Sequence, residues 1–454
     1  MPARSLLRPM LLVLALTSWL PPAAEGAWSD SRRIGATGEA VRGIAFAPSG
    51  RALLTLTPLV GRPWRATAGT AARGFASPFR LTRRRESLSV LDPEAVAVLG
   101  RDGYVVGGTR TGPPDEPVLS RPWVRLGRIG ASPGPTAWSG RRGDQLVSVA
   151  ANARGDAAVL TASCAACLRS TLRLVLRGSG GAFARPVRVT GGARIPGEDG
   201  GGFGPSLAVG PAGDVAVAWT TAPSADGSQR ARARLWRAAR WRGPAQDLGP
   251  ALPFGEAVIR LDARGRAVVA WSAQPGVPAG EETEITGPPT FWAAATPTDG
   301  RFRDPVRLGA GVVTGPDQWL PDSNHLDVEL EPGGHGLVGW TGVRAGRQVV
   351  RVRRLERGLP GTIQALGAGT FADLDLVPGG GAAVAWTNEG ALRVSASAAG
   401  KFPPHGASVA ALAEPRPQAA VAVDPVTRRV VAAWTRRVGL SPTARYAVRS
   451  PLPR

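Results

Sequence analysis

The chain has 454 residues, 43% of them apolar, with 55 Lys and Arg against 34 Asp and Glu and a formal net charge of +21. That length and apolar content suffice for a large core. After the first 26 residues no run approaches the ~20 apolar residues of a membrane-spanning helix, so a transmembrane segment is not expected.

Residues 1–26 read as a secretory signal peptide. Arg4 and Arg8 form a positive start, Met10 to Leu20 an apolar run, and Ala24-Glu25-Gly26 a small-residue cleavage site. No cysteine follows the apolar run, so a lipoprotein anchor is not expected. The mature chain, residues 27–454, is expected to be a monomeric exported protein, outside the cell or in the periplasm. Removing the leader leaves the strong positive charge in place. Such a charge fits nucleic acid, a wall polymer or an anionic membrane as partner. It equally fits compositional drift, because Lys401 is the only lysine and Ala, Gly, Pro and Arg dominate throughout; drift is the favoured reading.

A strand–turn–strand unit then recurs down the chain. Gly43 to Thr57, Ala95 to Thr109 and Leu146 to Thr161 are degenerate copies. Ser206 to Trp219, Ala257 to Trp271, Leu326 to Trp340, Ala372 to Trp386 and Ala419 to Trp434 are clear ones, each ending on a tryptophan. Third strands follow at Arg230 to Trp236 and Gln348 to Leu355, and fourth strands at Phe183 to Thr190, Trp241 to Gly249 and Phe302 to Gly309. A repeat of about 50 residues built from short strands predicts an all-β propeller. Eight four-stranded blades are expected, with seven as the alternative because the first two units are weaker. The eighth unit stops after its third strand, Ala444 to Ser450, while Trp28 to Gly35 resembles the fourth-strand segment Phe302 to Gly309. The N-terminal strand is therefore expected to complete the last blade and close the ring.

The segment Ala45 to Leu54 resembles the strand–turn–strand of TolB-type and WD-like repeats, and the cadence is similar to secreted sialidase-type propellers. That resemblance implies a fold and a ligand face formed by the second-to-third loops and the blade-to-blade crossings. The WD dipeptides are out of register, and the Asp-box of sialidases is absent. A sialidase-like mechanism implies a tyrosine nucleophile, yet Tyr104 and Tyr446, the only two tyrosines, are poorly placed.

Insertions on the expected ligand face carry Glu281, Glu282, Asp317 and Asp322, with His325 beside them. Solvated loop charges are the favoured reading. Ca²⁺ is the alternative, through carboxylates and carbonyls, although no EF-hand spacing is present; acid/base work on a glycosidic bond is another. Asp327, Glu329 and Glu331 alternate with apolar residues on an innermost strand, and Asp373 and Asp375 repeat the pattern. Buried carboxylates need partners, so these are expected to pair with arginines of the next blade or to face the channel.

The five tryptophans are expected to pack between blades rather than to stack on sugars. Cys164 and Cys167 are expected to staple one connection as a disulfide in an exported protein; zinc would want four ligands. Arg230, Arg232 and Arg234 are expected on a solvated outer rim, with too few interleaved aromatics for specific nucleic-acid binding. No serine-hydrolase elbow, P-loop or dinucleotide fingerprint occurs. The leading expectation is a non-catalytic module that binds a glycan, wall polymer or protein without a cofactor. The alternative is a carboxylate- or metal-dependent enzyme acting on polysaccharide, of hydrolase or lyase type.

Overall fold

The computed structural model describes residues 27–58, 63–83, 86–87, 95–110, 120–163, 170–193, 205–221, 224, 228–251, 257–273, 289–297, 300–312, 325–356, 359–398, 401–412, 418–438 and 441–452. Eight antiparallel sheets stand around one axis. Their innermost strands, in ring order, are Glu39–Phe46, Val96–Leu99, Gln145–Ala151, Ser206–Val209, Ala257–Leu261, Leu326–Leu330, Thr370–Val377 and Ala419–Val423. Each touches the next, and the last returns to the first. Among the described residues no helix is long and apolar enough to cross a membrane.

The ring closes as the sequence predicts. Strand Arg32–Ile34 pairs antiparallel with Ser441–Val448, Arg32 opposite Tyr446 and Ile34 opposite Ala444. Trp28 bridges to Arg449, and Ser29 N–H donates to the Val448 carbonyl at 2.8 Å. Blade eight therefore takes its outermost strand from the start of the chain and its inner three from the end.

Alternation along the second strands builds the core. Trp219, Trp271, Trp340, Trp386 and Trp434 are each at most 1% exposed. Each faces back into the preceding blade: Trp219 packs with Leu160, Leu172 and Val189 of blade three, and Trp434 with Ala385, Leu392 and Val394 of blade seven. Full burial answers the question of these rings directly: they are inter-blade wedges, with no face left for a sugar.

The residue after each tryptophan is Thr or Ser and has the opposite parity, so it faces the next blade. Thr341 Oγ1 accepts from Phe371 N–H at 2.9 Å, and Thr435 Oγ1 accepts from Val41 N–H at 2.9 Å. Thr109 does the same for Leu146 N–H at 3.0 Å in blade two, whose second strand, Gly103–Arg110, has no tryptophan. Each bond satisfies a buried N–H where the following inner strand begins.

Fourth strands of blades three to seven share a bulge at one equivalent position, and blades three and six have a second register shift. Val189, Leu248, Leu308, Leu366 and Val409 are skipped in the pairing register. A bulge turns its extra residue inward, and the first four of these are at most 4% exposed. The residue after Leu308 is Gly309, where an added Cβ would lie 3.1 Å from the Trp340 ring. The closing strand keeps this signature in Ile34-Gly35: Ile34 is 3% exposed and Gly35 takes φ +65°. The fourth strand read at Trp241 to Gly249 is split into Arg240–Trp241 and Gln246–Ala251, both paired to Gln229–Arg237. Pro244 lies between the two pieces and has no N–H to give a ladder.

Candidate functional site

The two faces of the ring differ. First-to-second turns are short in every blade, and they are tied to one another. Asn152 Nδ2 donates to the Gly210 carbonyl at 2.8 Å, Arg266 Nη2 to the Gly333 carbonyl at 2.9 Å, and Gly379 N–H to Glu331 Oε2 at 3.2 Å. Within a turn, Asp262 Oδ1 accepts from the N–H groups of Arg264 and Arg266 at 2.8 and 2.9 Å. Many polar groups of this face are spent on these ties. Connections leaving the opposite face vary widely, from Ala273 to Thr290 in blade five to Arg344 to Arg347 in blade six.

At the axis, one arc of the inner wall is charged. Trp271 pairs with Ala257 and Trp340 with Leu326, which sets Arg260 and Glu329 at one level of consecutive inner strands. Asp375 of blade seven, opposite Ala383, continues that level. Arg260 Nε donates to Glu329 Oε1 at 3.0 Å, and its Nη2 to Asp327 Oδ1 at 3.3 Å. Asp373 Oδ2 accepts from Val421 N–H at 2.7 Å, and Asp375 Oδ2 from Val423 N–H at 2.6 Å, so both grip the inner strand of blade eight.

The side chains of Asp327 and Glu329 keep 13% and 24% of their surface open, towards the axis. The surrounding wall nonetheless removes most of their water. Burial raises the Asp375 carboxyl to about 7, and Glu329 and Asp373 add repulsion. Burial likewise lifts Asp373 to about 6, against the pull of two backbone N–H groups and His325. Asp327 is raised well above the carboxylate range by burial, which outweighs the attraction of Arg260. Asp373 and Asp375 therefore exchange their protons near neutral pH.

His325 stands at the variable-face end of this arc, just before the inner strand of blade six, and its ring stacks on Phe371 with centroids 5.6 Å apart and planes at 28°. Glu281, Glu282, Asp317 and Asp322 lie outside the described residues, as do Cys164 and Cys167. Among the described residues no group of three His, Cys, Asp or Glu is arranged to hold a metal ion.

Several expectations change. Glu331 leaves the acidic face: it follows the strand end at Leu330 and serves the turn face through Gly379. The arginine partner of Asp327 and Glu329 comes from the preceding blade, not the next. Arg260 was missed, although aligning the repeats on their tryptophans puts it level with Glu329. The outer arginines are more engaged than a solvated rim requires. Arg230 Nε binds Asp247 Oδ2 at 2.7 Å, and Arg353 donates to the carbonyls of Gly361 and Arg307, both at 2.8 Å. Tyr104 is fully buried, donates to the Ala131 carbonyl at 2.8 Å, and has its phenol pushed further up by burial. It is unsuited to act as a nucleophile.

A closed ring of eight four-stranded sheets, sealed by the N-terminal strand, defines this chain as a β-propeller. No family model matches it, and no curated protein does. Among solved structures it is similar to the Dos1 propeller, with a TM-score of 0.50 and 10% identity over 92% of this chain and 95% of that one. It also matches the polysaccharide lyase Uly1, with a TM-score of 0.41 and 9% identity over 82% and 93% of the two chains. TolB from Acinetobacter baumannii matches with a TM-score of 0.33 and 13% identity over 80% and 79%. At such identities the likeness concerns fold alone.

Proposed function

We propose that the protein is an exported, non-catalytic binding module that takes a glycan, wall polymer or protein on the variable face. The observation that carries this reading is the division of labour between the faces. One is knitted into the scaffold turn by turn, and the other presents the connections that differ between blades, with His325 at the axial end. Loops on a rigid frame are where binding residues accumulate. The axial carboxylates support the non-catalytic half of the reading. Asp327 and Glu329 hold Arg260, while Asp373 and Asp375 hold backbone N–H groups. Their bonds fasten neighbouring inner strands together.

The test is a binding screen of the mature protein against glycans and cell-wall polymers, with reaction products followed in parallel. A variant carrying Glu281→Ala, Glu282→Ala, Asp317→Ala, Asp322→Ala and His325→Ala is expected to lose the specific interaction and keep the fold. Unchanged binding by that variant refutes the assignment of the face. Release of cleaved oligosaccharide by the wild type refutes the non-catalytic reading.

A further inference from the structure

We infer that the outer edge of blades three to five, centred on Trp241, is a docking stripe for a linear anionic polysaccharide. It lies on the side of the ring and is distinct from the variable face.

Three fourth-strand segments on consecutive blades share a pattern. An aromatic residue is followed by an arginine one or two positions before a proline: Phe183 with Arg185, Trp241 with Arg242, and Phe302 with Arg303. Arg185, Arg188, Arg240, Arg242, Arg303 and Arg307 are all exposed. Among the described residues of these outer segments the acids are Asp247, tied to Arg230 at 2.7 Å, and Asp304.

The segments are joined into one surface. Trp241 Nε1 donates to the Arg188 carbonyl at 3.1 Å, and Arg234 Nη1 to the Val189 carbonyl at 2.8 Å, which bind blade four to blade three. Gln246 Nε2 donates to the Gly300 carbonyl at 3.2 Å, and its Oε1 accepts from Phe302 N–H at 2.7 Å, which binds blade four to blade five.

A strained turn supports this arrangement. Ala238 and Ala239 take φ of +48° and +60° between Arg237 and Arg240. The two-residue hairpin between paired Arg237 and Arg240 requires positive φ at both positions, which strains alanine. Such strain persists only where the surroundings impose it. Here it projects exposed Arg240 and sets Trp241 beneath the Arg234 guanidinium, 4.5 Å from the ring centroid. Trp236 abuts the same ring edge-on at 5.1 Å. Clamped in this way, with the Arg234 guanidinium over its ring, Trp241 is a poor stacking platform for nucleotide bases. The stripe offers cations repeated from blade to blade along a convex edge, a pattern suited to a polymer recognised by its regularly spaced charges.

The experiment measures binding of polygalacturonate to mature wild-type protein, to Arg188→Glu/Arg240→Glu, and to Arg101→Glu/Arg264→Glu. The last pair makes the same charge change at exposed first-to-second hairpins on the turn face, in blades two and five. Wild type is expected to bind, and to weaken at least about tenfold between about 50 and 200 mM salt as counterions compete. The stripe variant is expected to lose about tenfold at low salt and the hairpin variant less than about threefold, both with wild-type melting temperatures. Arg188→Gln/Arg240→Gln gives the same direction without charge reversal should the first pair misfold. Equal losses in the two reversed variants mean that net charge acts alone, and overturn the stripe. Absence of wild-type binding overturns it too, as does tighter binding of duplex DNA at matched charge.

Discussion

Single side chains set the response to pH. Asp373 and Asp375 have folded values of about 6 and about 7, against about 3.9 in an unfolded chain. Between those values the folded state holds protons that the unfolded state has lost. This contribution is fully present below about pH 4 and is lost as pH rises through about 6 to 7. The melting temperature is therefore expected to fall over that interval. Asp375→Asn is expected to remove the portion of the fall near pH 7, because an amide keeps an acceptor for Val423 N–H without a charge to desolvate. Thermal melts of both proteins from pH 4 to 8 test this, and an unchanged slope in the variant contradicts it. The alternation of Asp327 and Glu329 was legible in sequence. Their partner left a trace only in the repeat alignment, which sets Arg260 level with Glu329; that the two side chains meet across the blades is decided by the packing of neighbouring inner strands.

At the scale of the element, the repeating device is a tryptophan facing backward and a hydroxyl facing forward. Trp340→Ala is expected to cost about 3–5 kcal/mol, since it opens a cavity at a packed sheet-to-sheet contact. Thr341→Val keeps the shape and removes the acceptor for Phe371 N–H, at a cost of about 1–3 kcal/mol. Val426→Ala, at a residue 59% exposed, should stay within about 0.5 kcal/mol. Urea unfolding at fixed pH ranks the three, and a Trp340 variant no worse than the Val426 one would dismiss the wedge. The tryptophan was easy to read because it is large and periodic. Its Thr or Ser neighbour recurs in all five clear copies and could have been read the same way, from its opposite parity. Fourth-strand bulges left a fainter trace, an aliphatic residue before a small one. The inward turn of that residue depends on a partner strand supplied by pairing.

For the whole molecule, closure is the decisive contact. Deleting residues 27–36 removes the fourth strand of blade eight and exposes the edge of Ser441–Val448. It also strips cover from Ala444 and Tyr446, which are buried beside Ile34. An open edge is both a lost set of hydrogen bonds and an aggregation template, so the melting temperature should drop sharply and soluble yield with it. A deletion variant that melts like wild type would contradict this role of the N-terminal strand.

Sequence by itself determined the all-β class and the four-strand unit, and favoured eight blades over seven with the N-terminal strand sealing them. Each rests on local alternation and a fixed period, which survive without knowledge of any distant contact. Tertiary structure alone decided which inner-strand charges meet, which outer arginines are bonded, and which face is consumed by the scaffold. Those outcomes depend on neighbours roughly 50 to 70 positions away, and on desolvation around the axis. No single strand carries that information.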